Sequence, residues 1–308
     1  MITTAQNILK TLGYFDLFQY PLTKEEIYSF HADTVSPWAV NNALEILVNE
    51  KIVFRLDEFY SLQNDHTRAQ RRCAGNLLAA KQMKTAQKAA LLLSKFPFTK
   101  GIAVSGSLSK KFADKNSDID FFIVTAANRL WIARTFMHFY KKLTFLTGRQ
   151  HWFCMNYYVD ETELEIVEKN IFTAMEIITL IPMQGSTSFE KFFCENDWTK
   201  IFFPMHSPVS KNIPEIRQRR FVKIIEKIFS GQTGDRFDKW LMHITDRRWQ
   251  NKTAKQQVNN KGRKIGMAVG RHFSKPDPQN FQAKVVRQYE DKVKHLLQQQ
   301  NIAASILL

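Results

Sequence analysis

The sequence predicts an α+β protein. A mixed sheet with helices is expected at residues 100–169, preceded by a small helix-and-hairpin domain and a connecting helix, and followed by a helical, basic part. Three observations predict it. Between Gly101 and Val124, an apolar run, a Gly-Ser turn and a second apolar run opening on acids read as strand, short helix and strand. Residues 1–67 place helix-capping signals ahead of helical periodicity and close on two short apolar runs. After Gly185 the periodicity is helical almost throughout.

In the first 67 residues a helix runs from about Thr3 to Phe18. Thr23-Lys24-Glu25-Glu26 is a capping box that opens a second helix. Ser36-Pro37 supplies a cap and a first-turn proline for a third, Trp38 to Asn49. Ile52 to Leu56 and Phe59 to Leu62 flank Asp57-Glu58 as a hairpin, so the module reads as winged-helix-like. DNA binding is not expected of it. Residues 1–50 hold 2 Lys against 6 acids, and the third helix exposes Trp38, Asn41, Asn42 and Glu45 but no cation, whereas phosphate contacts need cations. Packing against the mixed sheet that follows or against a partner is the expected role. Residues 68–99 form a connecting helix, Ala-, Leu- and Lys-rich from Arg68 to Lys95.

Chemistry concentrates between Gly101 and Val124. Alternate residues of a strand share a face, so Asp118 and Asp120 point one way while Ile119 and Phe121 enter the core. Neighbouring carboxylates repel, and a divalent cation relieves that repulsion. Gly106 permits close backbone approach, Ser107 adds a hydroxyl, and the amides of the following helix face an anion. Mg²⁺ takes one or two carboxylates together with waters and substrate phosphates, so the cation site and the phosphate seat belong together.

Gly106-Ser107, followed 11 positions after the serine by the Asp118-x-Asp120 of Ser117-Asp118-Ile119-Asp120-Phe121-Phe122-Ile123-Val124, resembles the signature of the polymerase-β-like nucleotidyltransferase superfamily. The resemblance covers residues 100–160, about a fifth of the chain. It implies that Gly106 and Ser107 hold the β- and γ-phosphates of a nucleoside triphosphate, with Lys110, Lys111, Ser117 and Asn156 at the nucleotide. It also implies that Asp118 and Asp120 ligate two Mg²⁺, and that an acceptor hydroxyl attacks the α-phosphorus and expels pyrophosphate. The family's third carboxylate is missing from its strand, since the run Trp152 to Val159 offers Asn156 in that slot. Glu165, Asp160 and Glu176 are the substitutes. Glu176 lies in an apolar helical run and requires a partner or a raised pKa; it reads either as a general base or as a capped structural acid.

The rest of the composition narrows the classes. No run of about 18 apolar residues and no basic-then-apolar leader occurs, so no membrane partner and a cytoplasmic location are expected. Cys73, Cys154 and Cys194 lack metal or disulfide spacing and are expected as buried, reduced thiols. Net charge is +15, and residues 200–308 hold 22 Lys and Arg against 8 Asp and Glu. Helices are expected over Phe189–Phe203, Glu215–Phe229 and Asp235–Trp249, then a polar linker Gln250–Lys264 and a last helix capped by Asp277-Pro278, all within a helical basic domain of residues 170–308. In the second of these, Ile216, Ile224, Ile225 and Ile228 are expected to be buried, with Arg220, Lys223 and Lys227 on another face. The expected function is Mg²⁺-dependent transfer of a nucleoside monophosphate, AMP from ATP, to a hydroxyl of a small molecule, RNA or protein. The alternative is a catalytically weak or inactive nucleotide-binding module of the same fold that contacts nucleic acid or protein.

Overall fold

A six-stranded mixed sheet, in the order β7-β4-β5-β6-β9-β8, forms the centre of the molecule. The computed structural model describes residues 2–115, 117–208, 212–257, 266–276 and 280–306. Strands β4 (Thr99–Val104), β5 (Asp120–Thr125), β6 (Cys154–Asp160), β7 (Ile181–Gln184), β8 (Met267–Val269) and β9 (Phe273–Pro276) build it. Among the described strands only β5 and β6 run parallel, and α6 (Leu130–Thr144) supplies the crossover that a parallel pair requires. The sheet is covered on both faces. On one face, α4 (His66–Leu93) and α6 pack Ala86, Ala90, Trp131 and Met137 onto Ile102, Val104, Ile119, Phe121 and Ile123. On the other, α7 (Ile171–Ile178) and α8 (Ser186–Glu195) bring Ile177, Phe189 and Phe192 onto Ala103, Phe122 and Val124.

Residues 2–61 contain α1 (Ile2–Asp16), β1 (Leu22–Thr23), α2 (Lys24–Ser29), α3 (Pro37–Asn49), β2 (Phe54–Leu56) and β3 (Phe59–Ser61), with strand order β1-β3-β2. Both bonds of the Thr23–Glu26 capping box form, and Ser36 Oγ accepts the Ala39 amide. These residues are not isolated from the sheet. Their apolar cluster, built on Ile8, Leu12, Tyr14, Phe15, Tyr20 and Leu44, continues through Phe112, Ala174, Met175, Ile178 and Phe203. Arg72 of α4 ties them down: its guanidinium lies over the Tyr20 ring at 3.8 Å and pairs with Glu26 at 2.8 Å.

Three expectations change. The C-terminal part is not wholly helical: after α9 (Arg220–Ile228) and α10 (Gly231–Ala254), β8 and β9 extend the central sheet through β6, and α11 (Phe281–Ile306) packs on α1. Strands of three and four residues are too short for periodicity to separate from loop. Ile224 and Ile228 are exposed, because α9 docks through Val222 and through Glu226, whose Oε1 accepts the Phe98 amide at 2.7 Å. Cys73 and Cys194 are exposed and only Cys154 is partly buried. The expected cap Asp277-Pro278 and part of the linker Gln250–Lys264 lie outside the described residues.

Close approach at Gly75 couples α4 to the loop after the Gly-Ser turn. A Cβ there would sit 2.2 Å from the Phe112 ring, and the Gly75 carbonyl accepts the Ala113 amide at 3.2 Å. Alanine in mid-helix ordinarily gains about 1 kcal/mol over glycine, but overpacking costs about 1–3 kcal/mol. Gly75→Ala is therefore expected to destabilise the protein by about 1–2 kcal/mol in urea unfolding; a stabilised variant would contradict this packing.

Candidate active site

Asp120 and Gly106 touch. Gly106 opens the short helix α5 (Gly106–Ser109) with φ of +69°, and a Cβ on it would lie 2.7 Å from Asp120 Oδ2. Only glycine allows both the backbone conformation and that approach. The Ser105 amide donates to the Asp120 carbonyl at 2.9 Å, pinning the turn to the start of β5. Ile119 and Phe121 are both buried on the α4–α6 face, so the side chains of Asp118 and Asp120 take the opposite side.

Asp118 Oδ1 accepts from His151 Nδ1 at 2.5 Å. The backbone of the same segment clamps the acid loop, with the Ile119 amide donating to the His151 carbonyl at 3.0 Å and the Cys154 amide to the Ile119 carbonyl at 3.1 Å. In the β5–β6 register Asp120 faces Cys154, whose thiol hydrogen-bonds its carboxylate. Burial first, helped by the charges of Asp118 and Glu176, holds the Asp120 carboxyl up at about 6 against the opposing Cys154 bond and Lys141 of α6. Burial, with the Asp120 charge next, pushes the Cys154 thiol up to about 12.

Glu176 of α7 reaches this cluster through a cation. Lys110 Nζ lies 2.7 Å from Glu176 Oε1 and donates to the Gly106 carbonyl at 3.2 Å, so one ammonium joins α7 to the glycine turn. The Tyr20 hydroxyl donates to the Lys110 carbonyl and brings the N-terminal residues to the same point. The Ser105 hydroxyl, at the base of the turn, is buried with no hydrogen-bond partner among the described residues. Such an orphan is rare in a native interior.

Residues 87–179 match the family model described as a nucleotidyltransferase domain. That segment is a nucleotidyltransferase domain. The match runs from the end of α4 to the end of α7, just under a third of the chain, and includes Glu176. Comparison with curated proteins and with solved structures gives no significant match to either.

Within the nucleotidyltransferase domain, Gly106, Lys110, Asp118, Asp120 and Glu176 stand together. Ser107 is exposed on α5, and Lys111 is exposed with φ of +58°. Ser117 braces its own loop, accepting the Asp114 amide at 2.9 Å. Asn156 is not the neighbour of Asp120. The register skips it between Met155 and Tyr157, so it is the extra residue of a β-bulge, and Cys154 occupies the slot beside the acid. Asp160 pairs with Thr125 at the far end of β5, about 17 Å along the strand. It is fully buried, accepting from the Asn128 and Thr162 amides and from His272. Glu165 is exposed and paired with Lys169. Asp160 and Glu165 are thus structural or peripheral, and Glu176 is the substitute whose charge reaches Asp120. Sequence reasoning missed His151, Cys154 and Ser105. His151 and Cys154 each sit near the start of the strand-like run, and Ser105 adjoins the glycine, but none belongs to a motif.

The raised Asp120 pKa gives a pH signature. Between about pH 4 and 6 the folded chain keeps a proton that the unfolded chain has released, so stability from this group falls as pH rises and is least at neutrality. Asp120→Asn is expected to be more stable than the parent at pH 7 by about 1–3 kcal/mol. The gap should close toward pH 4 in denaturant titrations; a destabilised variant at pH 7 would contradict the account.

Proposed function

We propose that the protein transfers a nucleoside monophosphate, AMP from ATP, to a hydroxyl of an acceptor with release of pyrophosphate, in a Mg²⁺-dependent reaction. The contact between Asp120 and Gly106 carries this reading, because it joins the acid pair to the phosphate seat in one place. Among the described residues no three acid, His or Cys side chains form a cluster able to hold a metal ion. Two hard carboxylates beside a glycine turn fit Mg²⁺ that arrives with a triphosphate, since Mg²⁺ takes one or two protein carboxylates and fills its shell with phosphate and water. Asp118 and Asp120 would hold it. Bound there, Mg²⁺ would offset the triphosphate charge and favour ionisation of the acceptor hydroxyl.

The chain's own groups divide the remaining work. The backbone at Gly106 and Ser107 and the Ser105 and Ser107 hydroxyls bind phosphate oxygens, giving the orphaned Ser105 hydroxyl a partner. His151 holds Asp118 in orientation. Lys110 exchanges Glu176 for the arriving phosphates, and the released Glu176 accepts the acceptor's proton. Positioning and charge compensation suffice for such a transfer. The winged-helix-like residues 1–67 serve as a brace, through Tyr20 and Phe112, on the loop that carries Lys110. A second reading, a module that binds nucleotide without turning it over, is favoured by the same Lys110–Glu176 pair if that pair persists when nucleotide is bound.

Incubation with α-labelled ATP, Mg²⁺ and a cell extract as acceptor source tests the proposal. Labelled product and free pyrophosphate are expected, and Asp118→Ala with Asp120→Ala should lower labelling at least about a thousandfold with folding intact. Glu176→Gln should lower it by about 10²–10⁴. Unchanged labelling in the double variant would remove the mechanism, and nucleotide binding without pyrophosphate release would establish the second reading.

A further inference from the structure

The acids and cations of α9 and α10 are sorted by side. Glu226 accepts the Phe98 amide at 2.7 Å, Asp235 pairs with Arg129, and Asp238 Oδ1 accepts the Ile132 amide at 2.9 Å, so three acids turn inward to the catalytic sheet and to α6. The fourth, Asp246, bonds Gln250 along its own helix. The outer faces carry cations instead: Arg220, Lys223 and Lys227 on α9, and Arg236, Lys239, Arg247 and Arg248 on α10, all exposed.

Among those cations lie large apolar side chains that water now wets. Phe221, Ile224 and Ile228 are 58%, 61% and 65% exposed and form one stripe of α9, next to the stripe of Arg220, Lys223 and Lys227. On α10, Trp240 and Ile244, one turn apart, are 55% and 45% exposed. Phe229, one residue past Ile228, stacks on Phe237, which stacks on Trp240, so the two helices are joined by a row of rings. Five exposed large apolar residues on two consecutive helices are more than a scatter of single surface hydrophobes.

We propose that the outer faces of α9 and α10 bind the surface of a bilayer that carries anionic lipids. Charge complementarity sets the sign of the partner, since these seven exposed cations face a single outward acid, Asp246, which is bonded to Gln250. The isoleucines decide its class. A nucleic acid rewards the cations and can stack on Trp240, but it offers Ile224, Ile228 and Ile244 nothing that water does not. A lipid interface takes both kinds of side chain, burying the apolar stripe while Lys and Arg reach the headgroups. No helix among the described residues is long and apolar enough to cross a membrane, so the association is with the surface.

Flotation of the purified full-length protein with vesicles tests this, using phosphatidylcholine alone or with about 30% phosphatidylserine. Co-flotation is expected with the anionic vesicles only, weakening as salt is raised to about 0.5 M. Lys223→Gln with Lys227→Gln should reduce partitioning at least about tenfold. Ile224→Ser with Ile228→Ser should reduce it by a similar factor. All four positions are exposed, so circular dichroism and thermal unfolding should match the parent. Failure to float, or flotation indifferent to the isoleucine substitutions, overturns the proposal. Tight binding of single-stranded oligo-uridine that depends on the lysines and not on the isoleucines overturns it in favour of a nucleic-acid interface.

Discussion

Negative charge gathered against a glycine turn is the constraint on which the site depends. Asp120 sits against Gly106, Asp118 stands two residues away, and Glu176 adds a third charge that Asp120 feels from α7. Left alone, such a group repels itself, and the chain answers with His151 on Asp118, Cys154 on Asp120 and Lys110 on Glu176. Each answer is partial, and the Asp120 carboxyl still titrates far above an ordinary aspartate. The fold holds the acids in place by burying Ile119 and Phe121 beneath them, at a cost in electrostatic energy that a bound cation would relieve.

The surrounding architecture follows from the same requirement. An acid pair at a strand start needs a rigid strand, and β5 lies inside the sheet between β4 and β6, covered on both faces. The glycine turn needs a support of its own. Gly75 of α4 lets Phe112 approach, and Tyr20 binds the Lys110 carbonyl, so the N-terminal residues and the long helix meet at the segment following Ser107. Asp120 remains in surroundings that disfavour its charge, as does Asp238 of α10 beneath α6.

Much of this was legible in the sequence, and what was not has physical reasons. The Thr23–Glu26 box and the Ser36 cap are local, and they form as their residues dictate. The alternation of Asp118, Ile119, Asp120 and Phe121 fixed which side chains enter the core and which do not. A β-bulge at Asn156 broke the same logic one strand away, because period-two reading has no means of seeing an extra residue. The Lys110–Glu176 pair spans 66 positions and belongs to no spacing rule. On α9 the apolar period was present, but Glu226 and Val222 determined which side docks, and the isoleucines were left outside. The strands β8 and β9, three and four residues long, became visible only through their pairing with each other and with β6.

If the acids and the turn form one seat for a metal-bound triphosphate, nucleotide affinity must depend on the metal through those acids. Calorimetric titration of the full-length protein with ATP, with and without Mg²⁺, measures this directly. The account predicts binding with Mg²⁺ that is lost without it and lost in Asp118→Asn. Equal ATP affinity in both conditions, or binding with Mg²⁺ that Asp118→Asn leaves unchanged, would contradict it.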